Sequence, residues 1–383
     1  MKKYALRDLI DVKRGMSLSG EFYATEGSRI RLTLGNFREE GGFKLNTSKE
    51  DLYFTGPVRD EFILKEGDII TPLTEQVVGL LGSTARIPES GKYVQSGDVA
   101  LIKCTSDELV DGYCYYLISS KLVRRQLSVA AQQTKIRHTS PEKIMDCEVF
   151  IPEVKEQKKI AHILDCINRK IELNNKINDN LYEQLMLFCS HISASSSAER
   201  HNLSDFCSYT TQKIDSSELN QNDYVSTDNL LPEKQGITIS KNLPAVSSAI
   251  LCRNSDILVS NIRPYLKKIY YCHRKMGCSS DVLNIRTTKE DLAPFIYFCL
   301  RQDAFFAHMM AGSKGTKMPR GDKNQIMRYT IMMPPTHLME QFIKLAKPAM
   351  LQIKHNEEDN NNLSQIRNYL LPLLMSGQAT IAD

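Results

Sequence analysis

Residues 152–190, PEVKEQKKIAHILDCINRKIELNNKINDNLYEQLMLFCS, decide the fold of this chain. Apolar or asparagine side chains recur in this stretch in steps that alternate between four and three residues, which is the spacing of a coiled-coil seam. No Gly interrupts the run, and its one proline, Pro152, precedes the expected helix start. The stretch therefore predicts one long helix with a narrow contact face. The predicted seam consists of Ile160, Leu164, Ile167, Ile171, Asn174, Asn178, Leu181 and Leu185.

Residues 337–378 predict a second long helix with a similar spacing. Its predicted seam contains Phe342, Leu345, Asn356, Leu363 and Leu370. Pro348 lies inside the pattern and predicts a kink or a restart of the helix. Each seam is buried most simply against the other helix, which predicts an antiparallel pair.

Asparagines occupy seam positions near the middle of both predicted helices. Asn174 and Asn178 would face Asn356 and Asn360. A buried polar layer of this kind weakens a helix pair but can fix its register. The alternative is that these asparagines mark a solvated stretch.

The segments that precede the two helices repeat one another in order. LRDL at 6–9 returns as LSDF at 203–206, EGDII at 66–70 as NSDIL at 254–258, SGDVALI at 96–102 as SSDVLNI at 279–285, and QTKIRH at 133–138 as GTKMPR at 315–320. These matches indicate a tandem duplication of a unit of about 190 residues, far longer than the repeat of a solenoid.

The fold-class prediction is α+β, because both segments carry short β-type runs bounded by Gly, Asn and Asp turns. Two tandem mixed α/β domains would be joined by two long helices that form an antiparallel coiled-coil spacer with pseudo-twofold symmetry. The predicted segments are a first domain at 1–152, a spacer helix at 153–190, a second domain at 191–336 and a second spacer helix at 337–378.

The composition of the 383 residues is that of an ordinary globular protein, with 42% hydrophobic and 25% charged residues. The net charge of +4 is too small to indicate nucleic-acid binding by itself. No apolar run approaches the roughly 18 residues of a membrane span, and the N-terminus lacks a signal-peptide core. A cytoplasmic protein is expected.

The ten cysteines are scattered singly, without a C-x-x-C pair. Cys272, His273 and Cys278 come nearest to a metal-ligand cluster, but a fourth ligand at zinc-site spacing is missing. Reduced and mostly buried thiols are therefore expected.

Basic residues cluster without acidic neighbours in both halves, at 113–138, 263–280 and 304–321. Lys and Arg in such clusters suit phosphate contact, and Arg, Asn and Gln can read base edges. A solvated basic face is the alternative for a single cluster, but recurrence at equivalent places favours DNA contact. The candidate DNA-binding residues are Thr74, Glu75, Gln76, Lys121, Arg124, Arg125, Gln132, Gln133, Lys135, Arg137, Asn261, Arg263, Tyr265, Lys267, Lys268, Lys314, Lys317 and Arg320.

Sequence motifs of common catalytic and cofactor sites are missing. GSKGTK at 312–317 has the wrong spacing for a phosphate-binding loop, and G-x-G-x-x-G, H-E-x-x-H and the nucleophile elbow do not occur. No catalytic, cofactor-binding or metal-binding residue is therefore predicted, and the sequence is typical of a binding subunit.

The chain resembles the DNA-specificity subunits of type I restriction–modification systems. The resemblance is carried by the duplicated order, by FIPEVKEQKKIAHILDCINRKIELNNKINDNL at 150–181, by GDII and SGDVALI, and by LLPLLMSG at 370–377. The second half departs from the pattern at Pro334 and Pro335, with a two-residue slip before Glu340 and Gln341.

This resemblance implies a non-catalytic chain whose two domains are target-recognition domains. Each would read one half of an asymmetric, bipartite site in double-stranded DNA. The helices would set the unread spacing and dock two modification subunits, which restriction subunits join. S-adenosylmethionine, ATP and magnesium would be bound by these partner subunits, and no cofactor is expected in this chain.

Two other classes of function remain open. A DNA-cleaving enzyme with an unrecognised active site would cut or methylate DNA without partners. A coiled-coil scaffold that never touches DNA would not retain DNA in a salt-dependent way.

Overall fold

The structure is a computed structural model that describes residues 1–38, 41–46, 49–75, 79–131, 137–315 and 317–381. The chain divides into two compact units. Unit 1 comprises Met1–Glu172 and Asn360–Asp383, and unit 2 comprises Leu173–Asp359. Each unit therefore includes a part of both long helices, whereas the segment boundaries 1–152, 153–190, 191–336 and 337–378 stay a prediction. Among the described residues, no helix is both long and apolar enough to cross a membrane.

Unit 1 combines short strands with three short helices. The strands are β1 (Lys2–Ala5), β2 (Ile10–Arg14), β3 (Tyr23–Ala24), β4 (Ile30–Arg31), β5 (Tyr53–Phe54), β6 (Ile69–Pro72), β7 (Thr74–Glu75), β8 (Ala85–Arg86), β9 (Tyr93–Val94), β10 (Val99–Cys104), β11 (Arg137–His138) and β12 (Glu148–Ile151). The helices are α1 (Asp111–Ile118), α2 (Lys121–Ala130) and α3 (Pro141–Met145), followed by the long helix α4 (Val154–Ser193). The side chain of Ser120 caps α2 by accepting a hydrogen bond from the backbone of Val123.

Unit 2 has the same kinds of element. Its strands are β13 (Glu199–Asn202), β14 (Cys207–Tyr209), β15 (Lys213–Asp215), β16 (Tyr224–Val225), β17 (Ser248–Cys252), β18 (Ile257–Ser260), β19 (Ile269–Tyr271), β20 (Met276–Cys278), β21 (Val282–Thr287) and β22 (Thr330–Met333). Its helices are α5 (Ala293–Leu300), α6 (Asp303–Ala311) and α7 (Lys323–Met327), followed by the long helix α8 (Thr336–Ser376). The mixed α+β class predicted from the sequence is confirmed.

The main sheets of the two units share one strand order. In unit 1 the order is β2-β10-β6-β8, and in unit 2 it is β14-β21-β18-β19. In both sheets the first strand along the chain is therefore followed, in space, by the fourth, the second and the third. Each unit also pairs its first strand with the last strand before its long helix, as β1 with β12 and as β13 with β22.

Each unit buries its own hydrophobic core under its short helices. In unit 1 the side chains of Tyr113 and Leu127 pack with Leu164 of α4 and Leu374 of α8. In unit 2 the core is aromatic, and the ring centroid of Phe342 lies 5.6 Å from that of Phe295. Edge-on ring pairs at such distances add about 1 kcal/mol to the free energy gained by burial.

The two long helices run antiparallel within each unit. In unit 1, Arg367 Nη1 donates to Asn168 Oδ1 at 3.0 Å, and the backbone N–H of Ile381 donates to Glu156 Oε1 at 3.1 Å. Residue numbers thus fall along one helix as they rise along the other. Unit 2 shows the same trend, since Asn178 meets Asn356 and the ring of Phe188 lies 5.9 Å from that of Phe342.

The asparagine layer predicted from the sequence is buried rather than solvated. Asn174, Asn178 and Asn356 are 1%, 7% and 3% exposed. In unit 2, Asn356 Nδ2 donates to Asn178 Oδ1 at 2.7 Å, and Gln352 Nε2 donates to Asn356 Oδ1 at 2.8 Å. The alternative of a solvated stretch is therefore wrong for these three residues.

The predicted seam of the second helix is wrong at Leu345. Leu345 is 56% exposed, and the neighbouring Ala346 is fully buried in its place. Ile353 is likewise buried, whereas Phe342 and Asn356 are buried as predicted. The sequence pattern favoured the larger apolar side chain, but the seam steps by four after Phe342, as it does after Ile160 in α4.

Pro348 does not interrupt the second helix, so the predicted restart is wrong. The helix α8 is continuous from Thr336 to Ser376. A proline inside a helix removes one backbone hydrogen bond and costs about 3 kcal/mol. The buried side chains of Ala346 and Met350 on either side of it supply packing that offsets this cost.

The two-residue slip before Glu340 and Gln341 does not exist in the structure. Ile151 of β12 pairs with β1 just before α4, and Met333 of β22 pairs with β13 just before α8. The residue six places later is Gln157 in unit 1 and Met339 in unit 2, and both are buried. Glu340 and Gln341 are exposed and take the places of two lysines of α4.

Candidate nucleic-acid interface

Two sequence-distant candidate stretches of unit 2 lie side by side. The backbone N–H of Arg263 donates to the carbonyl of Pro319 at 2.8 Å, and the N–H of Gly321 donates to the carbonyl of Asn261 at 3.1 Å. Ile262 and Arg320 form an antiparallel bridge between these two bonds. The stretches 261–268 and 317–320, together with Lys314, therefore belong to one surface, which we call the unit 2 basic surface.

Some basic residues of this surface are held by the protein itself. Lys267 Nζ lies 3.1 Å from Asp303 Oδ2, and Arg320 Nη2 lies 3.2 Å from Asp281 Oδ1. Lys268 Nζ donates to the carbonyl of Thr227, and burial lowers the pKa of Lys268. These three side chains are therefore already occupied.

Other residues of the unit 2 basic surface point into solvent. Arg263, Lys314 and Lys317 are exposed, and Tyr265 is 50% exposed. Within the described part of the chain, no carboxylate lies within ion-pair distance of Arg263 or Lys317. Asn261 lies beneath them at 8% exposure, and its Oδ1 has no hydrogen-bond partner among the described residues. The exposed set combines cations for phosphates with an aromatic ring, as nucleic-acid surfaces do.

The corresponding place in unit 1 is organised by a buried acid. Glu75 is 2% exposed, and its Oε2 accepts the backbone N–H groups of Gly79, Leu80 and Leu81 at 2.9, 2.8 and 3.0 Å. Its Oε1 lies 3.4 Å from Arg137 Nη1. Glu75 and its neighbour Thr74 are buried, so we assign them to the support of this loop rather than to DNA contact, against the sequence-based expectation.

Among the candidate DNA-binding residues of unit 1 that the structure describes, the exposed cations lie on helix α2. Lys121 and Arg125 are one helical turn apart and exposed, whereas Arg124 donates from Nη1 to the carbonyl of Gly79 at 3.1 Å. Arg137 is half-buried beside Glu75. The remaining candidates, Gln76, Gln132, Gln133 and Lys135, lie outside the described residues.

Cys272, His273 and Cys278, which come nearest to a metal-ligand cluster in the sequence, are buried in unit 2. Over the described ranges, no three His, Cys, Asp or Glu side chains converge in a way that could hold a metal ion. Cys272 and Cys278 are buried beside Cys252, and burial lowers the pKa of His273 to about 3. His273 is therefore neutral at physiological pH and cannot contribute a charge to DNA binding.

Sequence reasoning missed residues that hold the unit 2 basic surface in place. Asp303 and Lys234 were not among the candidates, although Lys234 Nζ lies 2.6 Å from Asp303 Oδ1. The helical dipole favours an acid at the start of α6, but only the structure shows that Asp303 faces the candidate loop.

Exposed cations on paired loops, with two long antiparallel helices, indicate a protein of the DNA-recognition class. Residues 1–183 match the family model of the type I restriction modification DNA specificity domain. The predicted resemblance is thereby confirmed, and this part of the chain carries a domain of that family.

Solved structures agree with this assignment at the level of the fold. The type I restriction-modification system S subunit from M. genitalium superposes with a TM-score of 0.59 at 16% sequence identity, covering 98% of this chain and 96% of that chain. The HsdS subunit from Thermoanaerobacter tengcongensis gives a TM-score of 0.33 at 11% identity, with 99% and 97% coverage. A chain of a type I R-M complex gives 0.38 at 12% identity, with 98% and 97% coverage. The fold likeness rests on the first of these, and no curated protein matches the chain significantly.

Proposed function

We propose that this chain is the non-catalytic DNA-specificity subunit of a type I restriction–modification complex. Unit 1 and unit 2 each read one half of a bipartite, asymmetric site in double-stranded DNA. Methylation, cleavage and the binding of S-adenosylmethionine, ATP and magnesium belong to partner subunits. The observation that carries the proposal is the specificity-domain match of residues 1–183.

The exposed side chains of unit 2 support a reading role for its basic surface. Arg263 is suited to bidentate contact with guanine, and Lys314 and Lys317 are suited to phosphates. Lys317→Ala should weaken DNA binding with little dependence on sequence, whereas Arg263→Ala should relax discrimination in one half-site only.

The long helices are proposed to set the number of unread base pairs between the half-sites. A 40-residue helix such as α4 extends about 60 Å at 1.5 Å per residue, and it is continuous. The bonded pair of Asn178 and Asn356 supports a fixed register, because sliding one helix would leave two buried amides unpaired.

Exposed apolar residues on the long helices support the docking of modification subunits. Leu173, Ile177 and Leu187 of α4 are 46%, 45% and 65% exposed. Their spacing of four and ten residues places them along one face of the helix, apart from the buried seam. Leu345 and Leu351 provide exposed apolar surface on α8. Further helices from partner subunits would remove these side chains from water. The charged side chains of Lys158, Lys159, Arg169 and Lys170 on α4 are proposed to belong to the same platform, and Lys159 Nζ also donates to the carbonyl of Ile381.

Mapping of modified adenines tests the proposed function. Cells that contain this chain together with its modification subunits should show methylated adenines within one bipartite sequence, and cells without the chain should not. A purified chain that cuts or methylates DNA without partners would instead support the enzyme alternative. Failure to retain DNA at any salt concentration would support the scaffold alternative.

Shortening the helices tests the spacing role separately. Four residues, about one helical turn, would be deleted from matching positions of α4 and α8. The mapped sites should then have a shorter unread spacer and unchanged half-sites. Altered half-sites at the original spacing would show that the helices do not set the distance.

A further inference from the structure

Two turns of unit 2 hold each other in an unfavourable backbone conformation. The non-glycine residues with positive φ among those described are Glu233, Lys234, Ser255, Arg263 and Lys267. Four of the five lie on the turns 232–236 and 263–267, with φ between 51° and 61°. Left-handed backbone is unfavourable for residues with a Cβ, and it persists only where surrounding contacts impose it.

Backbone hydrogen bonds join the two turns directly. The N–H of Glu233 donates to the carbonyl of Leu266 at 2.9 Å, and the N–H of Lys234 donates to the carbonyl of Lys267 at 3.0 Å. Arg301 Nη1 then donates to the carbonyl of Lys234 at 3.1 Å from the end of α5. Arg301 therefore holds the turn 232–236, and the turn 232–236 holds the turn 263–267, which carries Arg263.

Asp303 binds lysines from both turns, and Glu233 Oε2 of the first turn also lies 3.9 Å from Lys267 Nζ of the second. Asp303 Oδ1 lies 2.6 Å from Lys234 Nζ, and Asp303 Oδ2 lies 3.1 Å from Lys267 Nζ. These two ammonium groups lower the pKa of Asp303, so it is ionised at physiological pH. Each oxygen thus binds a lysine from a different turn.

The fixed turn presents two side chains of the proposed interface. Arg263 and Lys267 flank a short 3₁₀ helix, Pro264–Leu266, whose middle residue is the exposed Tyr265. Lys267 is directed to Asp303, which leaves Arg263 and Tyr265 as the exposed groups of the turn. An aromatic ring next to an arginine can stack on or press against bases while the arginine bonds to a base edge.

We infer that Asp303 is a positioning residue for the half-site that unit 2 reads. By holding Lys234 and Lys267 together, it keeps the turn 263–267 in the one conformation that presents Arg263 and Tyr265 to DNA. An acid in this place otherwise opposes binding, because it repels phosphates. The inference rests on the proposed function, since it requires that unit 2 reads DNA.

Two substitutions with opposite changes of charge test this role. Asp303→Asn removes a negative charge, so electrostatics alone predict tighter binding to any DNA. Lys267→Met removes a positive charge, so electrostatics alone predict weaker binding to any DNA. The positioning role predicts that both variants lose discrimination at the same half-site.

The measurement compares three duplexes with the complex of the full chain and its modification subunits. One duplex carries the mapped site, and the other two carry mismatches in one half-site each. The half-site whose discrimination Arg263→Ala abolishes is the one that unit 2 reads. Asp291→Asn is the matched control, because Asp291 also pairs with a lysine, Lys347, at 2.7 Å, but away from both turns.

Both test variants should reduce discrimination at the unit 2 half-site by about tenfold, the contribution of one well-read base pair. Discrimination at the other half-site should stay unchanged, and hydrogen exchange of unit 2 that matches the unsubstituted chain shows that the variants fold. Asp291→Asn should leave both discrimination ratios unchanged, that is, the affinity for the mapped site divided by the affinity for each mismatched duplex. If Asp303→Asn does not fold, Lys267→Met carries the same test.

A purely electrostatic role would overturn the inference. In that case Asp303→Asn would strengthen and Lys267→Met would weaken binding to all three duplexes equally, with unchanged ratios. This result differs from a failure of the proposed function, in which the unsubstituted complex would not discriminate between the duplexes at all.

Discussion

The two units place opposite charges at corresponding positions. The N–H of Leu73 donates to the carbonyl of Asp98 at 2.8 Å, as the N–H of Asn261 donates to that of Asp281 at 2.9 Å. These equivalent bonds align the chain that follows β6 with the chain that follows β18. Two residues beyond each bond lie Glu75 in unit 1 and Arg263 in unit 2.

At a second pair of corresponding positions the charges of the two units are the other way round. The helices α2 and α6 begin at Lys121 and Asp303, and the residues two places later, Val123 and Phe305, are both fully buried. In unit 1 the acid lies at the end of strand β7 and the base on the helix, whereas unit 2 has the base on the turn 263–267 and the acid on the helix. The scaffold therefore accepts either arrangement of the two charges.

The largest expected effect is a difference in stability between variants of Glu75 and Asp303, because Glu75 is buried and Asp303 is exposed. Glu75→Ala should lower the free energy of unfolding by about 3 kcal/mol, because it leaves three backbone N–H groups without their acceptor and Arg137 without its ion pair. Asp303→Ala should cost less than about 1 kcal/mol, since Asp303 is exposed. Denaturant unfolding, with hydrogen exchange to locate the affected unit, measures both. Equal losses would show that the two carboxylates serve the same purpose.

A smaller change in stability tests whether α8 buries the positions that correspond to the buried positions of α4. Ala346 corresponds to Leu164 of α4, and both are fully buried. Ala346→Leu should destabilise unit 2 by about 2 kcal/mol through overpacking, although it copies the residue of unit 1. Leu345→Ala should change the stability by less than about 0.5 kcal/mol, because Leu345 is exposed. Thermal unfolding measures both variants. A larger loss of stability for Leu345→Ala than for Ala346→Leu would support the seam predicted from the sequence.

The smallest effect is a pH dependence confined to unit 2. Burial raises the pKa of Glu357 on α8 to about 7, while Tyr270 donates to its carboxylate at 3.2 Å. The protonated acid is therefore favoured by folding. Its stabilisation is complete below the unfolded pKa near 4.5 and is lost as the pH rises through about 7.

Glu357→Gln tests this dependence. Glu357 is only half-buried, so the loss of stability between pH 5 and 8 should be about 1 kcal/mol. The glutamine variant should remove it. Hydrogen exchange of unit 2 against unit 1 over that range measures the difference, and a slope that survives the substitution would exclude Glu357 as its source.

The sequence was sufficient to predict the two long helices, because burial along one face of a helix sets the spacing of its apolar residues. Five residues of the predicted α4 seam are buried, namely Ile160, Leu164, Asn174, Asn178 and Leu185, and Ile167, Ile171 and Leu181 are half-buried. The seam of α8 was misplaced by one residue at Leu345, because Leu345 is larger than Ala346. Alignment of Phe342 with Ile160 would have given the observed register.

The surface residues were harder to predict, because composition does not show which cations are already paired. Lys267, Lys268 and Arg320 share the local sequence character of Arg263 and Lys317, yet the first three are bound within the protein. Glu75 lies in a loop by sequence and is nearly inaccessible in the structure. These contacts join residues far apart along the chain, and no local pattern encodes them.

The division of both long helices between the units has a consequence for protein synthesis. The chain leaves unit 1 at Glu172, completes unit 2, and returns to unit 1 only at Asn360. During translation the N-terminal residues emerge first. They nevertheless cannot finish their core, since Leu374 and Met375 belong to it. Asp359, the last residue of unit 2, is therefore synthesised before Asn360–Asp383, which unit 1 needs to complete its core.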